Sequence, residues 1–154
     1  LFLLVVIWHL DRAKYNAPPD DTGMALHHFY TRILDTDLTE PYRHVHHSGV
    51  LLFLEQARIA QLREIDWDFP QQLERGVLLV IAAIEITFLR ELFAEEITIA
   101  TAPAAFDDKR FSMTQTIRNA RGKDAVHAVV TQAVLDLKTK RAIIPPESLI
   151  KGLS

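Results

Sequence analysis

The chain contains no cysteine. That removes disulfides, thiolate zinc sites and a cysteine nucleophile, and it suits a reducing compartment, so a cytoplasmic location is expected. Glycine is scarce: there are 5, none clustered, and no glycine-rich phosphate loop can be built from them. Basic residues form no run and the formal net charge is -3, which argues against an electrostatic nucleic-acid binder. Long apolar runs are missing as well. Leu1 to Trp8 is purely apolar, but Asp11 and Arg12 end it, well short of the roughly 20 residues a spanning helix needs. No basic start precedes it, as a signal peptide would require. No membrane partner is expected.

What remains has an ordinary globular balance. Over 154 residues, 49% are apolar and 24% charged, enough for one domain with a real core. Asn16 to Gly23 is rich in Pro, Asp and Gly and reads as a linker, and Met24 follows it. The expectation is that residues 1–23 form an N-terminal extension outside the working domain, which then spans 24–154. The alternative is an N-terminal strand or helix packed on the domain.

Residues 27–36 carry Phe29, Thr31, Ile33 and Thr36 in a strand-like pattern. Residues 48–65 are the strongest helix candidate, with Ser48 as a candidate N-cap. On a helical wheel Val50, Phe53, Leu54, Ala57 and Ala60 share one face, and Leu51, Leu52, Ile59 and Leu62 cover most of the other. A helix apolar nearly all round is expected to be buried. Trp67 to Gly76 reads as a loop. The period then changes from 3.6 to 2. Leu78, Val80, Ala82, Ile84, Ile86 and Phe88 alternate along one face of a long strand, and Ile97, Ile99 and Thr101 continue in the next. Phe111, Met113 and Ile117 mark another strand, and Val126, Ala128, Val130 and Val134 the last. Short turns at 107–109 and 121–123 imply antiparallel hairpins. Pro145-Pro146 is expected to end regular structure. The order is strand, buried helix, then four antiparallel strands, an α+β arrangement in which a curved sheet covers the helix.

The densest polar cluster runs from Asp35 to Gly49, just before the helix. The first N–H groups of a helix lack internal partners and carry the positive end of its dipole, so an oxyanion is stabilised there. Asp37 is a candidate for a carboxylate that attacks a carbonyl or activates water. Equally, Asp35 and Asp37 can serve only to accept loop N–H groups. Glu55 lies between apolar helix positions and either pairs with Arg58, three residues on, or takes part in chemistry. His44, His46 and His47 with two aspartates resemble half of a zinc or iron site, but no second ligand set has a recognised spacing, and no metal is expected. A Ser48–His–Asp triad exists in composition only, without a G-x-S-x-G elbow.

The segment Asp35-Thr36-Asp37, His44-Val45-His46-His47 and Val50-Leu51-Leu52-Phe53-Leu54-Glu55-Gln56-Ala57-Arg58 resembles a family pattern. It is similar to D-T-D-x-x-G-H-V-N-N followed by Y-L-x-F-x-E-x-A-R of the 4-hydroxybenzoyl-CoA thioesterase branch of the hotdog superfamily. Ile84 to Leu89, Ile117 to Lys123 and Val126 to Leu137 are similar to its later strands. The resemblance implies a hotdog fold, an antiparallel five-stranded sheet wrapped around a central helix. It implies a homodimer with sites at the subunit interface, often paired into a homotetramer. It implies hydrolysis of an acyl-CoA thioester, with CoA part of the substrate and no separate cofactor. Asp37 matches the catalytic carboxylate, and the backbone N–H of His47 matches the donor that polarises the carbonyl. Lys109 and Arg110, at a hairpin end, are candidates for the CoA nucleotide.

The chain departs from the pattern in four places. Six residues, Leu38 to Arg43, separate Asp37 from His44-Val45, more than the family uses. That longer spacer can move Asp37 away from the helix start. His46-His47 replaces the Asn pair, Val50 replaces Tyr, and Arg43 replaces Gly. His44, His46, His47 or Glu55 can then assist as a base. A non-catalytic acyl-CoA or acyl-carrier-protein binder is the main alternative. A dehydratase of the same fold would carry a His followed by Pro-Gly, which is absent here.

Overall fold

The computed structural model describes residues 26–154. The expected extension, residues 1–23, and the boundary at Met24 lie outside the described residues. Chain order is β1 (His27–Arg32), a 3-10 turn (Asp35–Asp37), β2 (Leu38–Thr39), β3 (His44–Val45), α1 (His47–Glu64) and α2 (Phe69–Glu74). There follow β4 (Val77–Phe88), β5 (Glu96–Thr101), β6 (Ala105–Asp107), β7 (Arg110–Arg118), β8 (Asp124–Asp136), β9 (Ala142–Ile143) and α3 (Glu147–Leu153).

The main sheet is antiparallel, with strand order β1-β5-β7-β8-β4, and short β6 and β9 extend it beside β7 and β8. The inward rows are the ones the alternation marks. Ile99 stands level with Ile117 and Thr101 with Gln115, while Met113, Gln115 and Ile117 stand level with Val130, Ala128 and Val126, all of them buried. Against them α1 buries Val50, Phe53, Leu54 and Ala57. This is the hotdog arrangement.

Four sequence expectations need correction. In β4 the register shifts between Ile81 and Ala83, so Ala82 is a bulge residue. Leu78 and Val80 therefore do not share a face with Ile84, Ile86 and Phe88; beyond the bulge the inward row passes to Val77, Leu79 and Ile81. Second, α1 is not buried all round. Leu62 is buried, but Leu52 is 58% exposed and Ile59 38%, because the sheet covers only one side of the helix. Third, the stretch 67–76 is not all loop. Asp68 caps α2 by accepting from the Gln71 N–H at 3.5 Å, and Pro70 falls in its first turn, where its missing N–H costs nothing. Fourth, Pro146 does not end regular structure; it stands at the N-cap of α3.

That last helix closes one end of the core. Leu149 and Leu153 are buried with Leu62, Trp67, Val77, Phe111, Met113 and Val134. A Cβ at Gly152 would come within 2.7 Å of Ile65 Cδ1, so α3 packs closely on the residue that ends α1. A second apolar cluster, containing Ile33, Val45, Val50, Phe53, Leu54, Leu92, Ile99 and Ile117, fills the end where α1 begins.

If α3 is an integral part of this core, Leu149→Ala should destabilise the fold by about 2–5 kcal/mol, the usual cost of emptying a buried leucine site. Urea unfolding checks this; a change below about 0.5 kcal/mol, the level of an ordinary surface substitution, would mean that α3 does not pack as described.

Candidate active site

The spacer between Asp37 and His44 folds back on itself. Leu38 pairs with Val45 and Thr39 with His44, antiparallel, and the Arg43 N–H donates to the Thr39 carbonyl at 2.8 Å to close the turn. Leu38, the residue after Asp37, therefore stands beside Val45, the residue before the α1 cap His46. The six-residue spacer is thus taken up in a small hairpin.

Asp37 is exposed at the end of the 3-10 turn. Its Oδ2 accepts from the Leu34 N–H at 2.7 Å, which fixes the carboxylate, and its Oδ1 has no partner among the described residues. Asp35 is differently engaged: its Oδ1 accepts from Arg43 Nη2 at 3.1 Å, while Arg43 Nη1 donates to Glu40 at 2.9 Å. Of the D-x-D pair, Asp35 is tied to a cation, whereas Asp37 is held only by a backbone N–H among the described residues.

The helix start is assembled by histidine. His46, not Ser48, is the N-cap; its Nδ1 accepts from the Ser48 N–H at 3.3 Å and lies 2.8 Å from Ser48 Oγ. The His46 and His47 rings contact each other with centroids 3.8 Å apart. Gly49 allows the helix to begin this close to β3, since a Cβ there would lie 3.0 Å from Val45 Cγ1. Among the described residues the N–H groups of His47 and Gly49 have no acceptor. They are therefore available to a ligand, with the helix dipole behind them. Ser48 contacts a histidine, but no carboxylate contacts that histidine, so no triad forms among the described residues. Nor do three or more His, Asp or Glu side chains gather there in a metal-holding group.

The other expected site residues are spread out. His44 is half-buried, with Nδ1 3.8 Å from Glu91 Oε1, and it faces the loop after β4 rather than Asp37. Glu55 is exposed on the face of α1 that also carries Leu52 and Ile59. It makes no ion pair with Arg58 among the described residues, so that expected pair is corrected. Lys109 follows β6 and Arg110 begins β7, whereas the Asp37 turn follows β1, whose last residue Arg32 pairs with Glu96 two places from the level of Arg118. Within one chain they stand at opposite ends of β7, about 27 Å apart at the usual rise per residue.

Sequence reasoning missed a buried polar belt. Arg58 is only 6% exposed and its Nη1 donates to Gln115 Oε1 at 2.7 Å. Gln115 Nε2 donates to the Leu54 carbonyl and to Thr101 Oγ1, both at 3.1 Å. Burial pushes the Arg58 guanidinium below its ordinary pKa, and exposed Glu55 partly opposes that. The signal was the gap in β7: Gln115 holds an inward place between Met113 and Ile117.

A model of the thioesterase-like superfamily matches residues 31–153. The chain belongs to the thioesterase-like superfamily. It is an enzyme acting on thioesters, and its general reaction is acyl-thioester hydrolysis. No curated protein sequence matches this superfamily member. Solved structures share its hotdog fold. A candidate oleoyl thioesterase from Lactobacillus plantarum superposes with a TM-score of 0.79 at 16% identity over 86% of this chain, which spans only 52% of that one. The protein SAV2348 from Staphylococcus aureus, solved in complex with CoA, gives 0.77 at 16% identity, covering 84% of this chain and 82% of its own. Slr0204 from Synechocystis, a 1,4-dihydroxy-2-naphthoyl-CoA thioesterase, gives 0.76 at 13% identity, covering 84% and 96%.

The belt inside this thioesterase-like fold is a sharp test of its packing. Gln115→Leu strands the Arg58 guanidinium and should cost about 1–3 kcal/mol in urea unfolding, whereas Thr101→Val, which removes only a weaker acceptor, should cost about 1 kcal/mol or less. Equal costs would contradict the assignment of Gln115 as the centre of the belt.

Proposed function

We propose that the protein hydrolyses acyl-CoA thioesters, with Asp37 as the reacting carboxylate and the His47 N–H as the donor that polarises the carbonyl. The observation that supports this reading is the β2–β3 register, which pairs Leu38, next to Asp37, with Val45, next to the α1 cap, while the His47 N–H has no acceptor among the described residues. The carbonyl carbon of the thioester is attacked, its oxygen gains negative charge, and that charge meets the unpartnered N–H groups at the helix start. The C–S bond then breaks, and the CoA thiolate leaves and takes up a proton. Water supplies the second oxygen of the acid, either activated by Asp37 or opening an anhydride formed by Asp37 itself. A thiolate is a stable leaving group, so no strong acid is required opposite it. The likeness to SAV2348, which was solved with CoA, supports CoA as the thiol.

The substrate and the second subunit meet in this reading. β4 is an edge strand of the sheet, 12 residues long, and its inward row leaves Ile81 46% and Ile84 38% exposed. A long apolar edge of this kind favours pairing with another strand. Together with exposed Leu52 and Ile59 on α1, it supports a homodimer, or a tetramer of such dimers, in which the acyl group lies between the helix and the neighbouring copy.

Thiol release from a panel of aromatic and aliphatic acyl-CoAs tests the assignment. Asp37→Asn should lower kcat about 100-fold or more, the scale of losing a reacting carboxylate, and Glu55→Gln should stay within about threefold of wild type. The reverse pattern would move the chemistry to the helix carboxylate. Binding of acyl-CoA without turnover by the wild type would make the chain a carrier.

A further inference from the structure

Between Asp35 and Arg43 the chain places three carboxylates, Asp35, Asp37 and Glu40, and a single cation, Arg43. Like charges this close repel, and the cation among them governs where each carboxylate can stand. Arg43 takes a φ of +56°, in the left-handed region that a side chain enters at a cost and glycine enters freely. The turn itself does not ask for arginine there. The bond that closes the β2–β3 hairpin runs from the Arg43 backbone N–H to the Thr39 carbonyl at 2.8 Å, and glycine carries the same N–H. What arginine adds is its guanidinium.

That group works as a fork. Nη1 donates to Glu40 Oε1 at 2.9 Å, within the hairpin, and Nη2 donates to Asp35 Oδ1 at 3.1 Å, in the 3-10 turn. A guanidinium is planar and rigid, so it fixes the two carboxylates relative to each other. Asp35 and Asp37 share that three-residue turn. The turn is closed on itself through Leu34: the Asp37 N–H donates to the Leu34 carbonyl at 3.0 Å, and the Leu34 N–H donates to Asp37 Oδ2 at 2.7 Å. Among the described residues the Arg43–Asp35 bond is the one side-chain hydrogen bond that ties this turn to the hairpin. The hairpin in turn is anchored in the core by buried Val45, whose N–H donates to the Leu92 carbonyl at 2.9 Å. Arg43, Asp35 and Glu40 are all exposed. Exposed ion pairs add little to stability, so the worth of this fork lies in geometry.

We propose that Arg43 is a positioning residue for Asp37. It holds Asp35, and through Asp35 the turn, against a hairpin anchored in the core, and so fixes where the Asp37 carboxylate stands. The proposal rests on the reading above of Asp37 as the reacting carboxylate. A reacting group loses rate steeply when it is displaced by about an ångström, so a link that adds little to folding still counts in turnover.

Arg43→Gly tests it, because glycine relieves the left-handed backbone and removes the guanidinium together. The urea midpoint should match the wild type or rise, while kcat for acyl-CoA hydrolysis falls about tenfold and KM stays within about twofold. Asp35→Ala should lower kcat as much, and the two changes together no further, since both break the same bond. A kcat within about twofold of wild type in Arg43→Gly overturns the proposal. So does a raised KM with kcat intact, which would make Arg43 a substrate-binding cation, and so do losses that multiply in the double variant. A second readout needs no turnover. The Leu34 amide is bonded to the Asp37 carboxylate, so its solvent exchange, followed by NMR, reports whether that carboxylate keeps its place. Exchange should speed several-fold in Arg43→Gly and in Asp35→Ala, and unchanged exchange overturns the proposal. Faster exchange in a chain that releases no thiol, or whose turnover survives Asp37→Asn, upholds Arg43 as the residue that places Asp37 and removes the reacting role of Asp37.

Discussion

Two backbone hydrogen bonds, from Ile33 to the Glu95 carbonyl and from Val45 to the Leu92 carbonyl, both 2.9 Å, hold the end of the sheet together where α1 begins. Ile33 leads into the Asp35–Asp37 turn, and Val45 leads into the helix. Both are buried with Leu92 and Ile97 in one apolar cluster. Buried N–H groups must find an acceptor, and the 89–95 loop supplies it to both arms at once. The position of the Asp35–Asp37 turn and the start of the helix both follow from that shared anchor.

The same economy runs through the middle of the protein. A helix crossing a curved sheet leaves two apolar clusters, one at each end of α1, and Arg58, Gln115 and Thr101 separate them. A buried guanidinium is tolerated there because an amide held from two sides accepts from it. The face of α1 turned away from the sheet has no such cover. Among the described residues it carries Leu52, Glu55 and Ile59 into the open, and the β4 edge, with its own exposed isoleucines, has no further strand beside it. A hydrolase that must admit an acyl chain needs an apolar surface of this kind.

Much of the fold was legible in the sequence because strand alternation is a direct readout of facing. The inward rows of β5, β7 and β8 stand where the pattern puts them. Alternation failed in β4, since one bulge residue reverses the rows and leaves no mark in an unbroken apolar run. The helical wheel around α1 reported which residues are apolar but not how far the sheet extends, so Leu52 and Ile59 read as buried. For the site, the D-x-D turn and the helix start were visible in residue type and order. The folding back of Leu38 to Arg43 was not, because two-residue strands carry no periodic signal. Arg90 lies in one loop and Arg121 and Lys123 share another, and only the pairing of β7 with β8 and of β4 with β8 brings the two loops together.

The central claim is that the reacting carbonyl sits between Asp37 and the first N–H groups of α1. A crystal structure with a ketone analogue of an acyl-CoA, in which a methylene group replaces the sulfur, tests it most directly. The account predicts the ketone oxygen about 2.7–3.1 Å from the His47 N–H, with the Asp37 carboxylate facing the carbonyl carbon. A ketone seated against Glu55, with the Asp37 carboxylate still turned only to Leu34, would contradict it.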